Sequence, residues 1–158
     1  MTLPLAIVPP LLVLGWGNRS RGDDALGPMC IESLRAAVGA DADVEFLEDY
    51  QLQVEHALDL VGRARVLFVD ASASCQTPFE VTTLRAAQDA SITTHTLSAQ
   101  ALLHLFVKLR GETPPPSTLL AIRGEGFGLG EPLSDAARSN LQQALGWCGR
   151  WLNLKIDC

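Results

Sequence analysis

What is scarce in this chain limits it first. Charged residues make up only 19% and apolar residues 47%, against roughly 25% charge in an ordinary soluble protein, so the charge-rich, apolar-poor signature of disorder is missing. Basic residues are outnumbered, with 12 Lys and Arg against 18 Asp and Glu for a net charge of −6. A field of that sign repels phosphate backbones and anionic lipids, so neither nucleic acid nor a membrane surface is an expected partner.

The longest apolar run, Leu3 to Trp16, is broken by Pro4, Pro9 and Pro10 and is shorter than the roughly 20 residues that cross a bilayer. No positive side chain precedes Arg19, whereas a secretory leader opens on a basic stretch. A cytoplasmic location is expected. The four cysteines, Cys30, Cys75, Cys148 and Cys158, are dispersed and form no C-x-x-C pair, as expected of reduced thiols that serve in packing. Short catalytic signatures are also missing: no H-E-x-x-H metal helix occurs, and no G-x-S-x-G elbow marks Ser72, Ser74 or Cys75 as a nucleophile.

What is present reads as one domain spanning residues 1–158, the size of a single hydrophobic core. Continuous apolar runs at Leu11–Leu14, Val44–Leu47, Val66–Val69 and Leu119–Ile122 predict strands buried on both faces. Phe79–Leu84, with Thr82 and Thr83, alternates more and predicts a strand nearer an edge. Helical spacing follows Leu26, Cys30, Leu34 and Ala37, and helices are expected over Gln53–Val61, Ser98–Leu109 and Ser134–Leu152, the last capped by Ser134. The order β-α-β-α-β-β-α-β-α predicts an α/β fold, a three-layer sandwich with a mostly parallel five-stranded twisted sheet and helices on both faces. Such sheets bind ligands beyond the carboxyl ends of their strands, where strand order reverses.

Three residues are candidates for chemistry at that edge. Asp23 and Asp24 open the first helix after the glycine-rich Gly15-Trp16-Gly17-Asn18; in the plainer alternative one caps the helix and the other is solvated. Asp70 follows the third apolar run, where an Asx turn is the plainer role. His95 lies in a polar linker before a helix, while His56 and His104 fall inside helix-like segments. If the first and third strands are neighbours, Asp70 approaches Asp24, and two converging acids require a cation or a shared proton. Two carboxylates and an imidazole suit a divalent ion such as nickel or zinc, with positions left open for water or substrate.

A dinucleotide site is a poorer fit, because its third glycine would fall at position 20, which is Ser. Two acids also occupy the helix start that a phosphate would need. Gly124 to Gly130 is read as a mobile loop at the same edge, contacting a partner through Phe127.

The motif G-x-G-N, four residues, Asp-Asp, two residues, Gly is met by Gly15, Gly17, Asn18, Asp23, Asp24 and Gly27. With Asp70 at the end of the third strand, His95, and the late run Gly130-Glu131-Pro132-Leu133-Ser134, the chain resembles the NiFe-hydrogenase maturation endopeptidases. The resemblance covers nearly the whole chain after residue 9. It implies removal of the C-terminal extension from a nickel-loaded hydrogenase large-subunit precursor. Asp24, Asp70 and His95 would recognise nickel supplied by the substrate, Asp24 and Asp70 would be the catalytic candidates, and no permanently bound cofactor would be needed. Some members carry Glu where this chain has Asp24. The wording around Arg19 and Arg21 looks most like the branch serving NAD-reducing hydrogenases. A monomer is expected, and a nickel-sensing docking chaperone for the same precursor is the alternative function.

Overall fold

Alternation within the apolar runs decides the layers. The computed structural model describes residues 7–40, 42–86 and 97–153. In β1 (Leu11–Trp16) successive side chains point to opposite faces of the sheet. Val13 enters one core cluster with α1 (Leu26–Ala37) and α4 (Asp135–Trp151). Leu12 and Leu14 enter a second cluster with α3 (Ala99–Arg110). β3 (Arg65–Ser72) divides in the same way, sending Leu67 and Val69 to the first cluster and Val66 and Phe68 to the second. β5 (Ser117–Arg123) sends Leu120 and Ile122 to the first and Leu119 to the second. Helices therefore cover both faces of one sheet, and the single-domain three-layer α/β architecture expected from the sequence is the one observed.

With β2 (Val44–Asp49) and β4 (Phe79–Leu84), the strand order is β2-β1-β3-β5-β4. All neighbours are parallel except β4, which runs antiparallel to β5. β1 feeds outward to β2, and the chain then returns to β3 on β1's other side. The reversal of strand order therefore lies between β1 and β3, as a doubly wound sheet requires.

Three local expectations need correction. β2 was read as buried on both faces, but it is an edge strand and only half-buried. The second helix was expected over Gln53–Val61, yet α2 covers only His56–Asp59. There the chain winds tightly, with backbone bonds from His56 to Gln53, Ala57 to Val54 and Leu58 to Glu55, an i to i−3 pattern that does not sustain a long helix. β3 runs on to Ser72, so Asp70 is inside a strand and opposite Ala121 of β5 rather than in a closing turn.

No helix among the described residues is long and apolar enough to cross a membrane. Cys30, Cys75 and Cys148 are free and buried, consistent with packing roles; Cys158 lies outside the described residues. Contact with Cys148, together with burial, pushes the Cys30 thiol well up, which keeps it protonated and unreactive.

Candidate active site

The site is built where β1 hands over to α1. A side chain on Gly15 would sit 2.6 Å from Ile31 Cγ1 and 2.7 Å from the Gly27 carbonyl oxygen, and one on Gly27 would overlap the carbonyl of Trp16. The helix start thus lies directly against the strand end. Gly17 has φ +151, and a β-carbon there would collide with the carbonyl oxygen of Asp24. Gly17→Ala is therefore expected to destabilise the protein by about 2 kcal/mol or more and to displace Asp24. Urea unfolding beside an activity assay checks both effects.

In a dinucleotide fold the third glycine permits close packing of helix on strand. Here Gly27 has that role, after a loop and a 3₁₀ turn over Gly22–Ala25. The space that a phosphate cradle would use carries acids instead.

Neither acid caps α1, whose N-cap is Ala25 with no side-chain cap bond, which corrects the plainer reading of the pair. Asp23 is fully buried. Its Oδ2 accepts from Glu125 N (2.7 Å), Gly126 N (3.1 Å) and Ser134 Oγ (2.7 Å), and its Oδ1 from Ser134 N (2.7 Å). Its own N–H donates to the Gly126 carbonyl at 2.7 Å. Burial alone would raise its pKa, but the bonds from Ser134, Glu125 and Gly126 outweigh that and hold the carboxyl below its ordinary value.

The same bonds tie down the late glycine-rich segment that was read as a mobile loop. It is tied to Asp23, its Gly130 N–H donates to the Ser20 carbonyl at 2.7 Å, and Phe127 is half-buried, with Gly124 leaving room for its ring.

Asp24 faces the other way. Its Oδ2 accepts the Asn18 N–H at 2.7 Å, and Asp24 and Asp70 line one cleft of ≈ 260 Å³ with Trp16, Gly17, Asn18, Arg21 and Tyr50. The register explains the meeting: Gly15 of β1 pairs with Val69 of β3, so Asp70 emerges one residue later at the carboxyl edge beside the turn that holds Asp24. Burial pushes the Asp70 carboxyl up to about 7, the Asp24 charge adds to the rise, and the Ala71 N–H opposes it. The two acids share this cleft with Arg21, and burial together with the Asp24 charge leaves Asp70 reluctant to ionise.

His95 lies outside the described residues. Among the described residues, no three His, Cys, Asp or Glu side chains gather as a metal-binding group. His56 is not free to ligate, since its Nδ1 accepts the Gln53 N–H at 2.8 Å while its Nε2 lies 3.2 Å from Asp49 Oδ2. Ser72 Oγ accepts from Ser74 N (3.2 Å) and Cys75 N (3.0 Å), the bonding of a turn.

Asn18 and Tyr50 were given no role from the sequence. Asn18 Nδ2 donates to Tyr50 Oη at 3.0 Å, and both residues line the acidic cleft. Position was the available signal, since Tyr50 directly follows the carboxyl end of β2.

These features define a doubly wound α/β protein with an acidic cleft at its switch point. Solved hydrogenase maturation proteases share the fold. The HycI protease of Thermococcus kodakarensis KOD1 is 21% identical, with a TM-score of 0.72 over 92% of this chain and 93% of its own. The maturating endopeptidase HybD of E. coli is 22% identical, with a TM-score of 0.72 over 90% and 91%. An endopeptidase from Escherichia coli solved in solution is 26% identical, with a TM-score of 0.71 over 90% and 91%. No protein-family profile matches the chain, and no curated protein sequence matches it significantly. The fold is that of the hydrogenase maturation proteases, the same proteins that the sequence motifs resemble.

Proposed function

We propose that this protein is an endopeptidase that removes the C-terminal extension of a nickel-loaded NiFe-hydrogenase large-subunit precursor. The observation that carries this reading is the meeting of Asp24 and Asp70 in one cleft at the switch point, in a fold shared with hydrogenase maturation proteases. The resemblance to the NAD-reducing branch concerns only which hydrogenase is served.

In this reading Asp24, Asp70 and His95 grip the nickel that the substrate brings. With its carboxyl pushed up to about 7, Asp70 is largely protonated below neutrality and has little hold on water alone. A dication arriving with the substrate favours the ionised form and offsets the repulsion from Asp24. Cleavage then waits for metal insertion because these residues recognise nickel already seated in the substrate. Asp24 and Asp70 would hold the substrate's nickel, which would supply polarisation of the scissile carbonyl or acidification of a water, or one of the two carboxylates would serve as general base.

His95 as the third ligand is what the motif resemblance implies, and the segment that follows it opens α3. Ser98 caps α3, its hydroxyl accepting from Ala101 N. α3 leads through a short connection into the starting end of β5, so its own first turn lies toward the opposite, carboxyl edge.

Asp24→Ala, Asp70→Ala and His95→Ala, each incubated with purified nickel-loaded precursor, are expected to leave it at full length on a gel while wild-type protein shortens it. Undiminished processing by all three would end the reading. A stable uncut complex with wild-type protein would make the protein a docking chaperone instead.

A further inference from the structure

The acidic cleft does not end at the acids. Gly17, Asn18 and Tyr50 also line a second cleft of ≈ 330 Å³, whose remaining wall includes Arg19, Pro28 and Glu48. We infer that this second cleft is the subsite that holds the stretch of substrate polypeptide adjoining the scissile bond, with Tyr50 as its wall toward the acids. The inference rests on the endopeptidase reading and names where the chain being cut is held.

The acidic cleft, at ≈ 260 Å³, lies below the roughly 300–1,000 Å³ typical of ligand pockets; it accommodates the reacting group and little more. An enzyme that cuts within a chain gains rate by fixing the flanking residues, because a misplacement of about 1 Å can lose about 100-fold. The second cleft adjoins it across Gly17, Asn18 and Tyr50.

Its chemistry indicates what it takes. Arg19 Nη2 lies 2.7 Å from Glu48 Oε2, and Nη1 lies 3.9 Å from Glu32 Oε1. Asp49, also at this cleft, is engaged through both oxygens: Oδ1 accepts the Tyr50 N–H at 2.7 Å, and Oδ2 is 3.2 Å from His56 Nε2. With the charges partnered and the N–H groups of Gly17, Asn18 and Ser20 already donated to Asp49, Asp24 and Asn18, the faces left for a ligand are the Tyr50 and Pro28 rings and the backbone of Arg19. Such a lining suits an extended, uncharged peptide segment. A charged side chain would have to break an existing pair.

Tyr50 is 63% exposed, yet its hydroxyl accepts from Asn18 Nδ2 at 3.0 Å. A tethered aromatic ring offers a large contact face at little entropic cost. Asn18 also donates its backbone N–H to Asp24. One residue thus positions both the subsite wall and the reacting carboxylate, which keeps a bound peptide in register with the chemistry.

The test is steady-state processing of nickel-loaded precursor by Tyr50→Ala, Tyr50→Phe and Leu109→Ala. Tyr50→Ala is expected to raise KM about tenfold, which corresponds to about 1.4 kcal/mol, with kcat changed less than about threefold. Tyr50→Phe keeps the ring and should bring KM back to within about threefold of wild type. Leu109, an exposed apolar side chain in the last turn of α3, controls for loss of surface hydrophobicity. An unchanged KM in Tyr50→Ala, or a fall in kcat alone, overturns the subsite. Failure of wild-type protein to cut the precursor overturns the endopeptidase reading itself, and the subsite with it.

Discussion

Asp70→Asn is expected to make the protein more stable at pH 8 while stopping precursor processing. The folded protein holds the Asp70 proton up to about pH 7, against 3.8 for an ordinary Asp. The unfolded chain therefore releases this proton first. Stability is undiminished below about pH 4, falls as pH rises from there toward 7, and has lost the whole contribution above 7. Asn carries no charge to desolvate and does not repel Asp24.

At pH 8 the variant should gain on the order of 3 kcal/mol in urea unfolding, a figure that allows for the half-buried position. At pH 4 the gain should shrink to a few tenths. Processing should drop about 100-fold or more, since Asn supplies neither an anionic ligand nor a base. An equal stability difference at both pH values would show that Asp70 is not held protonated by its surroundings. A residue that lowers stability where it sits and is needed for activity is the signature of a functional acid.

Asp23→Ala is expected to act in the opposite sense, lowering stability and activity together. It removes the acceptor for Glu125 N, Gly126 N, Ser134 N and Ser134 Oγ and leaves those donors unpaired beside the core. Unsatisfied buried donors cost about 1–3 kcal/mol each, and the surroundings can relax around some of them, so a net loss of about 3–5 kcal/mol is expected. Because the folded carboxyl lies below its ordinary value, its contribution is present above the ordinary carboxylate range and is lost as pH falls through the folded value.

Asp23 does not line the acidic cleft; it holds the turn that carries Asp24 against the late loop. Processing should therefore show a lowered kcat with KM little changed. Ser134→Ala is the milder probe, losing one bond to Asp23 and the cap of α4, worth about 1–2 kcal/mol. Ser134→Thr keeps the hydroxyl and should recover most of the activity. Normal kcat in folded variants of both residues would show that the staple does not position Asp24.

The two neighbouring acids mark the limit of sequence reasoning here. Asp23 and Asp24 are adjacent at the start of a helix, and local rules treat both as cap or solvated charge. Their different fates depend on Gly126 and Ser134, more than a hundred residues away. The late loop was misread for the same reason. Its glycines suggest mobility, and nothing nearby in sequence announces that a buried carboxylate ties it down.

α2 and β2 were misjudged on other grounds. Apolar residues within a tight i to i−3 winding mimic helical spacing, and a run of apolar residues does not reveal whether a strand has one neighbour or two. Asp70 was more legible, because a carboxylate directly after a continuous apolar run has few places to be in a parallel sheet. His95 was singled out by its polar linker before a helix and by the motif, and it lies outside the described residues.

Periodicity and punctuation in the chain were enough to determine the order of elements, the parallel sheet and the edge where chemistry belongs, since side-chain alternation and helical spacing are local consequences of backbone geometry. They also placed Asp24 and Asp70 on that edge. Only the tertiary structure decided which acid is a buried staple and which faces the cleft, and that Asn18 and Tyr50 join the acids to a second cavity. Those outcomes depend on desolvation and on hydrogen bonds between distant segments, and both arise only when the folded chain brings those segments together.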